Sequence, residues 1–372
     1  MVVQANLTYI LKGLIMNNEN TQKPTQVAPS DNAYFMDYAF SHGFGELHVK
    51  VDKKTGMKAI IAIHSTKRGP ALGGCRFIEY PNSEAAVQDA MRLAIGMSAK
   101  AALANLPIGG GKAVIIKPST PFDRNNVLNL FGEFVNSLDG RYITALDSGT
   151  QLDDMDTIAL TTPYVASRSS HGDPSPSTAL GVFRGIQAAV NFKLKRNDLK
   201  GLHIAIQGLG HVGYTLASLL HQAGAKLTVA DVNQTSVLRA EEAFSANVVN
   251  PADILKLNCD VLAPCALGGV LNDLTISELQ TSIVAGAANN QLHHSRHGQL
   301  LHDKGILYAT DYVINAGGLI FAACKYLKTS EGDMAGQIDY IGHRLLEIFE
   351  RSTNENKPTS IICDTMAQEL IA

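Results

Sequence analysis

A chain of 372 residues, 45% hydrophobic and 17% charged, has the composition of a globular protein with enough apolar material for about two domains. Its formal net charge of −3 supplies no basic field of the kind that nucleic acid or an anionic membrane surface demands, so neither is expected as a partner. The five cysteines form no CxxC pair and no apolar run reaches the roughly 18 residues that span a bilayer, which suits a cytoplasmic protein with reduced thiols.

The stretch Leu7 to Met16 is apolar only in patches, is broken by Lys12 and Gly13, and lacks a small-residue cleavage pattern, so it does not read as a signal peptide. With the Asn-, Gln-, Thr- and Pro-rich stretch after it, residues 1–30 read as a flexible leader. Glu46 to Val51 and Lys58 to His64 read as two strands of a hairpin across the turn Asp52 to Gly56. A helix capped by Ser83 places Val87, Met91 and Ala94 on one face and carries the chain into Lys100. The run Gly109-Gly-Gly-Lys112 then leads into a strand from Ala113 to Ile116, a helix over Asn125 to Leu138, and a short strand from Tyr142 that ends at Asp147. Lys100, Lys112 and Asp147 therefore stand at the ends of neighbouring elements.

Two ammonium groups in a stretch otherwise made of Ala, Leu, Ile and Gly sit where desolvation favours a neutral amine able to act as a base. The three glycines beside Lys112 leave bare backbone against which a small substrate or water can approach. Taken alone, Lys112 also fits a solvated lysine at a strand edge. A phosphate loop is excluded, because Leu106 and Ala113 stand where that motif needs Gly and Ser or Thr.

The prolines between His171 and Ser177 place the crossing to a second domain there. A helix from Ser177 to about Phe192 follows, then the basic stretch Lys193 to Lys200, which reads as a solvated linker. The strand His203 to Gln207, the turn Gly208-Leu-Gly210-His211-Val212-Gly213 and the helix Tyr214 to Gln222 form a GxGxxG unit in its required setting. Gly208 permits the tight turn, Gly210 lets a pyrophosphate approach the N–H groups of the helix start, and Gly213 allows helix and strand to pack closely. The next strand, Lys226 to Ala230, ends in Asp231, an acid placed to accept the hydroxyls of an adenosine ribose. Val232 and Asn233 supply no cation for an extra phosphate, so the cofactor expected is NAD rather than NADP. Of the remaining segments, His293, His294 and His297 read as solvated histidines on a helix rather than a metal site, since no carboxylate or thiol completes one. Ile338 to Arg351 reads as an amphipathic helix.

Seven ordered segments carry a resemblance across residues Phe44 to Phe321: Gly69-Pro-Ala-Leu-Gly-Gly-Cys-Arg76, the two-lysine stretch, Arg141 to Thr150, the GxGxxG unit, Asp260 to Gly268, Ala285 to Leu292 and Asp311 to Gly318. In them the chain resembles the Glu/Leu/Phe/Val amino-acid dehydrogenases, and within that family the leucine dehydrogenase branch. The resemblance implies an α/β fold of two domains, a mixed-sheet substrate domain and a Rossmann NAD-binding domain with the active-site cleft between them. Expected boundaries are 31–172 for the substrate, catalytic and oligomerisation domain, 173–345 for the NAD-binding domain, and 346–372 for a segment packing back towards the first domain. It implies reversible NAD-dependent deamination of an L-amino acid to a 2-oxo acid and ammonia by a homo-oligomer. Lys100 would hold the substrate carboxylate, Lys112 would activate water, and Asp147 would exchange protons with the amino group. Cys265, Ala266 and Leu267 would lie over the cofactor, with Ala287 and Asn289 on its nicotinamide side; a packing role is expected for Cys265, which has no base beside it.

The side-chain pocket implied by the resemblance comprises Leu72, Gly73, Met97, Ala166, Leu319 and Ala322, all apolar or small. Glutamate enzymes of the family carry Lys at the position of Leu72, and an apolar residue there leaves a second carboxylate without a partner. A branched-chain substrate is therefore preferred. Ala166 and Ala322, smaller than the residues usual in leucine enzymes, keep an aromatic or broad specificity open, whereas Leu319 narrows the pocket. Leu146, Ser148, Cys75 and Phe321 to Cys324 depart from the family pattern near the site, and Leu146 with Phe321 to Cys324 keeps open a non-catalytic NAD-binding regulatory protein.

Overall fold

The runs Met57–Ser65 and Gly109–Ile116 are buried along most of their length, which puts them in the middle of a sheet covered on both faces. The computed structural model describes residues 34–372; the leader expected over residues 1–30 lies outside the described residues. Helix α1 (Tyr34–Ser41) belongs to a unit that ends at Ser41, and the remaining elements belong to the unit His42–Ala372.

In that second unit, β1 (Glu46–Asp52), β2 (Met57–Ser65), β3 (Ala71–Ile78), β4 (Gly109–Ile116) and β5 (Tyr142–Leu146) form a sheet in the order β1-β2-β4-β3-β5. The hairpin side is antiparallel, while β3 pairs in parallel with both β4 and β5. On one face Ala71, Cys75, Phe77, Ala113 and Ile115 pack with Val127 and Phe131 of α3 (Arg124–Asn136) and Met155 and Ile158 of α4 (Leu152–Ile158). The opposite face is covered by α2 (Ser83–Leu103), which lies along β2 and β4. The cap of α2 is Asn82 rather than the expected Ser83: its side chain accepts the Ala85 N–H at 2.8 Å, and Ser83 is the first helical residue.

The three glycines of β4 explain how closely these layers approach. A Cβ at Gly110 would stand 2.0 Å from the Ser98 nitrogen of α2, one at Gly109 1.9 Å from the Ser65 oxygen, and one at Gly111 2.9 Å from the Tyr142 ring. The expectation that they leave bare backbone open to a ligand is thus corrected. The space beside them is filled by protein, and Gly110 in particular lets α2 settle onto β4 so that Lys100 and Lys112 come to one place.

After the 3₁₀ turn Ser169–His171, α5 (Ser175–Leu194) begins with Pro174 at its cap and Pro176 in its first turn, positions where the missing N–H costs nothing. It leads to a second sheet of β6 (His203–Gln207), β7 (Lys226–Ala230), β8 (Asn247–Val248), β9 (Asn258–Pro264), β10 (Gln280–Val284) and β11 (Leu307–Tyr308). The order β11-β10-β9-β6-β7-β8 is parallel throughout, with the order reversing between β6 and β9, the doubly wound arrangement whose crevice lies at that reversal. Helices α6 (His211–Gln222), α7 (Gln234–Phe244), α8 (Asp273–Glu278), α9 (His297–Asp303), α10 (Asp311–Ile314) and α11 (Gly317–Leu327) complete this half. His297 opens α9, while His293 and His294 precede it, so the three histidines do not share a helix. His297 is fully buried with its Nδ1 accepting the His294 N–H at 2.8 Å.

Two long helices end the chain. Helix α12 (Glu331–Glu355) is longer than the expected Ile338 to Arg351, and the division foreseen at 345/346 falls inside it. Helix α13 (Thr359–Ile371) packs against α2, so the last residues of the chain lie against the helix that carries Lys100. Among the described residues, no helix is long and apolar enough to cross a membrane.

Candidate active site

Strand phase decides which side chains meet. On β3 the residues Leu72, Gly74 and Arg76 face a cavity of about 540 Å³, and on β4 Lys112 does the same. Gly73 does not line this cavity. It points to the other face, where its carbonyl accepts the Tyr142 hydroxyl at 2.6 Å, and its neighbour Gly74 holds the cavity position. From α2 come Met97 and Lys100, from the end of β5 Asp147, and from α11 Leu319 and Ala322. Ala166 is buried in the core just behind, with only the following Ser167 and Arg168 reaching the cavity.

Lys112 is 6% exposed, and its Nζ is ion-paired to Asp147 Oδ2. The same carboxylate oxygen receives Arg76 Nε at 3.3 Å. Burial alone would raise the Asp147 carboxyl, but Lys112, the Ser148 N–H and Arg76 outweigh it and hold the group below the usual carboxylate range. Thr150 fixes the turn that presents Asp147: its hydroxyl lies 3.0 Å from the Asp147 N–H and 3.1 Å from the Cys75 carbonyl.

Lys100 donates to Asn315 Oδ1 at 2.7 Å. Burial, with Lys112 nearby, pushes its amine down to about 8, against the pull of the Asp311 carboxylate. Asp311 is itself raised by burial, although the N–H groups of Gln291 and Tyr312 bind its oxygens at 3.1 and 2.8 Å. Asn315 in turn donates to Asn289 Oδ1 at 2.7 Å and to the Ala287 carbonyl at 3.1 Å. A single side-chain amide therefore links the lysine end of the cavity to the loop after β10. Arg76, Asp311 and Asn315 lie inside segments legible in the sequence, yet pattern alone assigned them no role. Asp364 of α13, which also lines the cavity and accepts the Tyr312 hydroxyl at 2.7 Å, gave no signal at all.

At the crevice of the second sheet the three glycines of the GxGxxG unit differ in kind. Gly208 has φ +97° and a Cβ there would stand 2.8 Å from Ala266 Cβ; one at Gly213 would stand 2.0 Å from the Gly208 oxygen. Gly210 alone has no heavy atom within 4 Å of that position. The bare edge is thus open only at the start of α6, where free N–H groups and the helix dipole suit a diphosphate, and the residues present fit a dinucleotide. His211 projects into solvent 3.8 Å from Asp173, and Val212 is half-buried in the first turn. Asp231, at the end of β7, accepts the Leu209 N–H at 2.5 Å and the Asn233 N–H at 2.7 Å. Cys265, Ala266 and Leu267 follow β9 beside this turn, with the Cys265 N–H bound to the Gln207 carbonyl at 2.7 Å and Leu267 80% exposed. Burial raises the Cys265 thiol to about 11, which leaves it unreactive and suits packing.

The chain is similar to known proteins along most of its length. Residues 44–164 match the family model described as Glu/Leu/Phe/Val dehydrogenase, dimerisation domain, and residues 170–249 and 230–356 match that of Glutamate/Leucine/Phenylalanine/Valine dehydrogenase. The chain is 46% identical over 324 residues to a leucine dehydrogenase of Geobacillus stearothermophilus, covering 86% of this chain and 88% of that one. It is also 46% identical over 322 residues to an L-tryptophan dehydrogenase of Nostoc punctiforme, covering 86% and 91%. A crystal structure of L-tryptophan dehydrogenase from Nostoc punctiforme superposes with a TM-score of 0.84 at 43% identity, covering 90% of this chain and 98% of that one.

Proposed function

The chain belongs to the Glu/Leu/Phe/Val dehydrogenase family and is an apolar amino-acid dehydrogenase of it, and we propose that it converts branched-chain L-amino acids reversibly to 2-oxo acid and ammonia with NAD. The observation that carries this reading is the single cavity in which Lys100, Lys112 and Asp147 face Leu72, Met97, Leu319 and Ala322. One wall is charged and suits an amino-acid head; the other is apolar and suits its side chain.

Lys100 binds the substrate carboxylate. Asp147, ionised between two cations, accepts a proton from the substrate ammonium and leaves the free amine. NAD, when bound at Gly208, Gly210 and Gly213 with Asp231 on its ribose, supplies the acceptor for the hydride from Cα. Lys112 then polarises a water for attack on the imino carbon, the C=N π pair moving to nitrogen and one water proton leaving to solvent. Asp147 returns its proton to the nitrogen, and as the C–N bond breaks the hydroxyl releases its remaining proton to become the carbonyl and ammonia departs. The near-complete burial of Lys112 keeps bulk water from competing. NAD rather than NADP follows from the acid at Asp231 and from the absence of a cation at Val232 and Asn233. A homo-oligomer is supported by the match to a dimerisation domain, whose edge strand β1 exposes Val49 and Val51 by 60% and 65%.

The small side chain of Ala322 at the cavity wall favours a second reading, a preference for aromatic substrates. The test follows NADH consumption with ammonia and, in turn, 4-methyl-2-oxopentanoate, 3-methyl-2-oxobutanoate, phenylpyruvate and 2-oxoglutarate. The branched acids are expected to react fastest, and Lys112→Ala is expected to lower the rate by about 100-fold or more. Preference for phenylpyruvate selects the second reading, and silence on all four with NADH still bound selects a non-catalytic NAD-binding protein.

A further inference from the structure

We propose that Arg76 is a positioning residue for this reaction: its guanidinium, anchored to Asp89 on the helix that carries Lys100, sets the Asp147 carboxylate against Lys112. The proposal rests on the functional reading above and concerns a side chain to which that reading gives no part.

Cys75 and Leu146 are paired in the parallel register of β3 and β5, so the next residue on each, Arg76 and Asp147, emerge side by side. Arg76 Nε lies 3.3 Å from Asp147 Oδ2, and its Nη1 lies 2.7 Å from Asp89 Oδ2. Asp89 also accepts the Tyr80 hydroxyl at 2.7 Å and Arg92 Nη2 at 3.0 Å, so three donors hold it in place. Side-chain exposures of 21% for Arg76, 16% for Asp89 and 21% for Asp147 keep the array largely out of bulk water. Donors from two different strands, Lys112 of β4 and Arg76 of β3, converge on one oxygen of Asp147 and so restrict how its carboxylate turns.

A planar fork is what bridging two carboxylates from different elements requires; one ammonium cannot reproduce both directions. Asp89 and Lys100 stand on the same helix, eleven residues and hence about 16 Å apart. One rigid element therefore sets the holder of the substrate carboxylate and, through Arg76, the acceptor of the amine proton. The charged and titratable groups around Asp147 are Lys112 from β4, Arg76 and Cys75 from β3, and Tyr142 from β5, with Arg124 and Asp154 behind Cys75 from α3 and α4. Lys112 and Arg76 are the cations that hold the Asp147 carboxyl down, so removing Arg76 raises its proton affinity.

The test compares pH profiles of kcat/KM for reductive amination in the parent, Arg76→Gln and Arg76→Lys. In R76Q the acidic limb is expected to move up by about one pH unit, with kcat reduced about 10- to 100-fold. In R76K the limb is expected to stay with the parent while kcat still falls, because charge is kept and the fork is lost. An R76Q profile lowered in parallel at an unmoved limb, or an R76K enzyme equal to the parent at every pH, overturns the proposal. R76K carries the test if R76Q does not fold. A readout independent of turnover is the infrared band of the protonated Asp147 carboxyl, identified by its loss in Asp147→Asn; it is expected at higher pH in R76Q. A parent without activity defeats the functional reading, while the infrared titration still decides whether Arg76 governs Asp147, and an unshifted band overturns that.

Discussion

Raising the pH from about 7 to about 10 takes Lys100 through its own titration, and the proposed role of that lysine makes the consequence measurable. Its amine is lowered from 10.5 to about 8, a loss of roughly 3 kcal/mol in preference for the charged form that arises mainly from burial. The sign is set by which form the substrate needs. A carboxylate binds the ammonium, which is present below about 8 and disappears above it, so affinity is flat on the acid side and falls about tenfold per pH unit on the alkaline side. Two units above the midpoint, near pH 10, only about 1% of Lys100 carries charge, and the expected loss is about 100-fold. Calorimetric binding of 4-methylpentanoate, an unreactive carboxylate lacking the 2-oxo group, measures this with NADH present. At about pH 9 each bound carboxylate should also take up about 0.9 proton from the buffer. Lys100→Arg, which stays charged, should flatten the profile, and Asp311→Asn should move the turning point to lower pH because the Asp311 carboxylate supports the ammonium. A dissociation constant unchanged to pH 10 in the parent, or rising equally in the Arg variant, refutes the argument.

Gly210→Ala is expected to keep its melting temperature and weaken NADH binding, because the added methyl meets no protein atom and stands where the diphosphate approaches. Gly208→Ala should instead destabilise the fold by about 1–3 kcal/mol, since φ +97° and Ala266 both oppose a side chain; equal melting temperatures for the two variants would contradict this. Ala322→Leu should lower the rate with phenylpyruvate relative to 3-methyl-2-oxobutanoate by about 10-fold or more, and an unchanged ratio would show that Ala322 does not bound the side-chain pocket.

Local rules made the second sheet largely legible. Strand, glycine turn, helix and terminal acid between His203 and Asp231 are fixed by short-range sterics, and the structure shows a doubly wound parallel sheet around them. An apolar, glycine-rich setting singles out the lysines, and a place after a short strand singles out Asp147; the structure gathers all three into one cavity, with Lys112 inside β4 rather than at its edge. Gly73 and Gly74 were not told apart, since two adjacent glycines carry no apolar alternation from which to read the phase of a strand. The glycines beside Lys112 looked open because nothing local announces that Ser98, Ser65 and Tyr142 come from elsewhere to fill the space. Asn315, Asp89 and Asp364 escaped for the same reason: each acquires its role from a partner more than nine residues distant or from the opposite side of the cavity, and no periodicity encodes such a meeting.

The return of the last helix has a consequence for how the molecule comes into being. Helix α13 lies on α2 and lends Asp364 to the cavity, and the backbone carbonyl of Ala372 accepts Lys67 Nζ at 2.8 Å. A ribosome delivers Lys100, Lys112 and Asp147 early, yet the wall that completes their enclosure comes from residues 359–371, so the chamber stays open until that helix has emerged. Messages cut short before residue 359 would thus yield chains with an intact GxGxxG unit and an unfinished chamber.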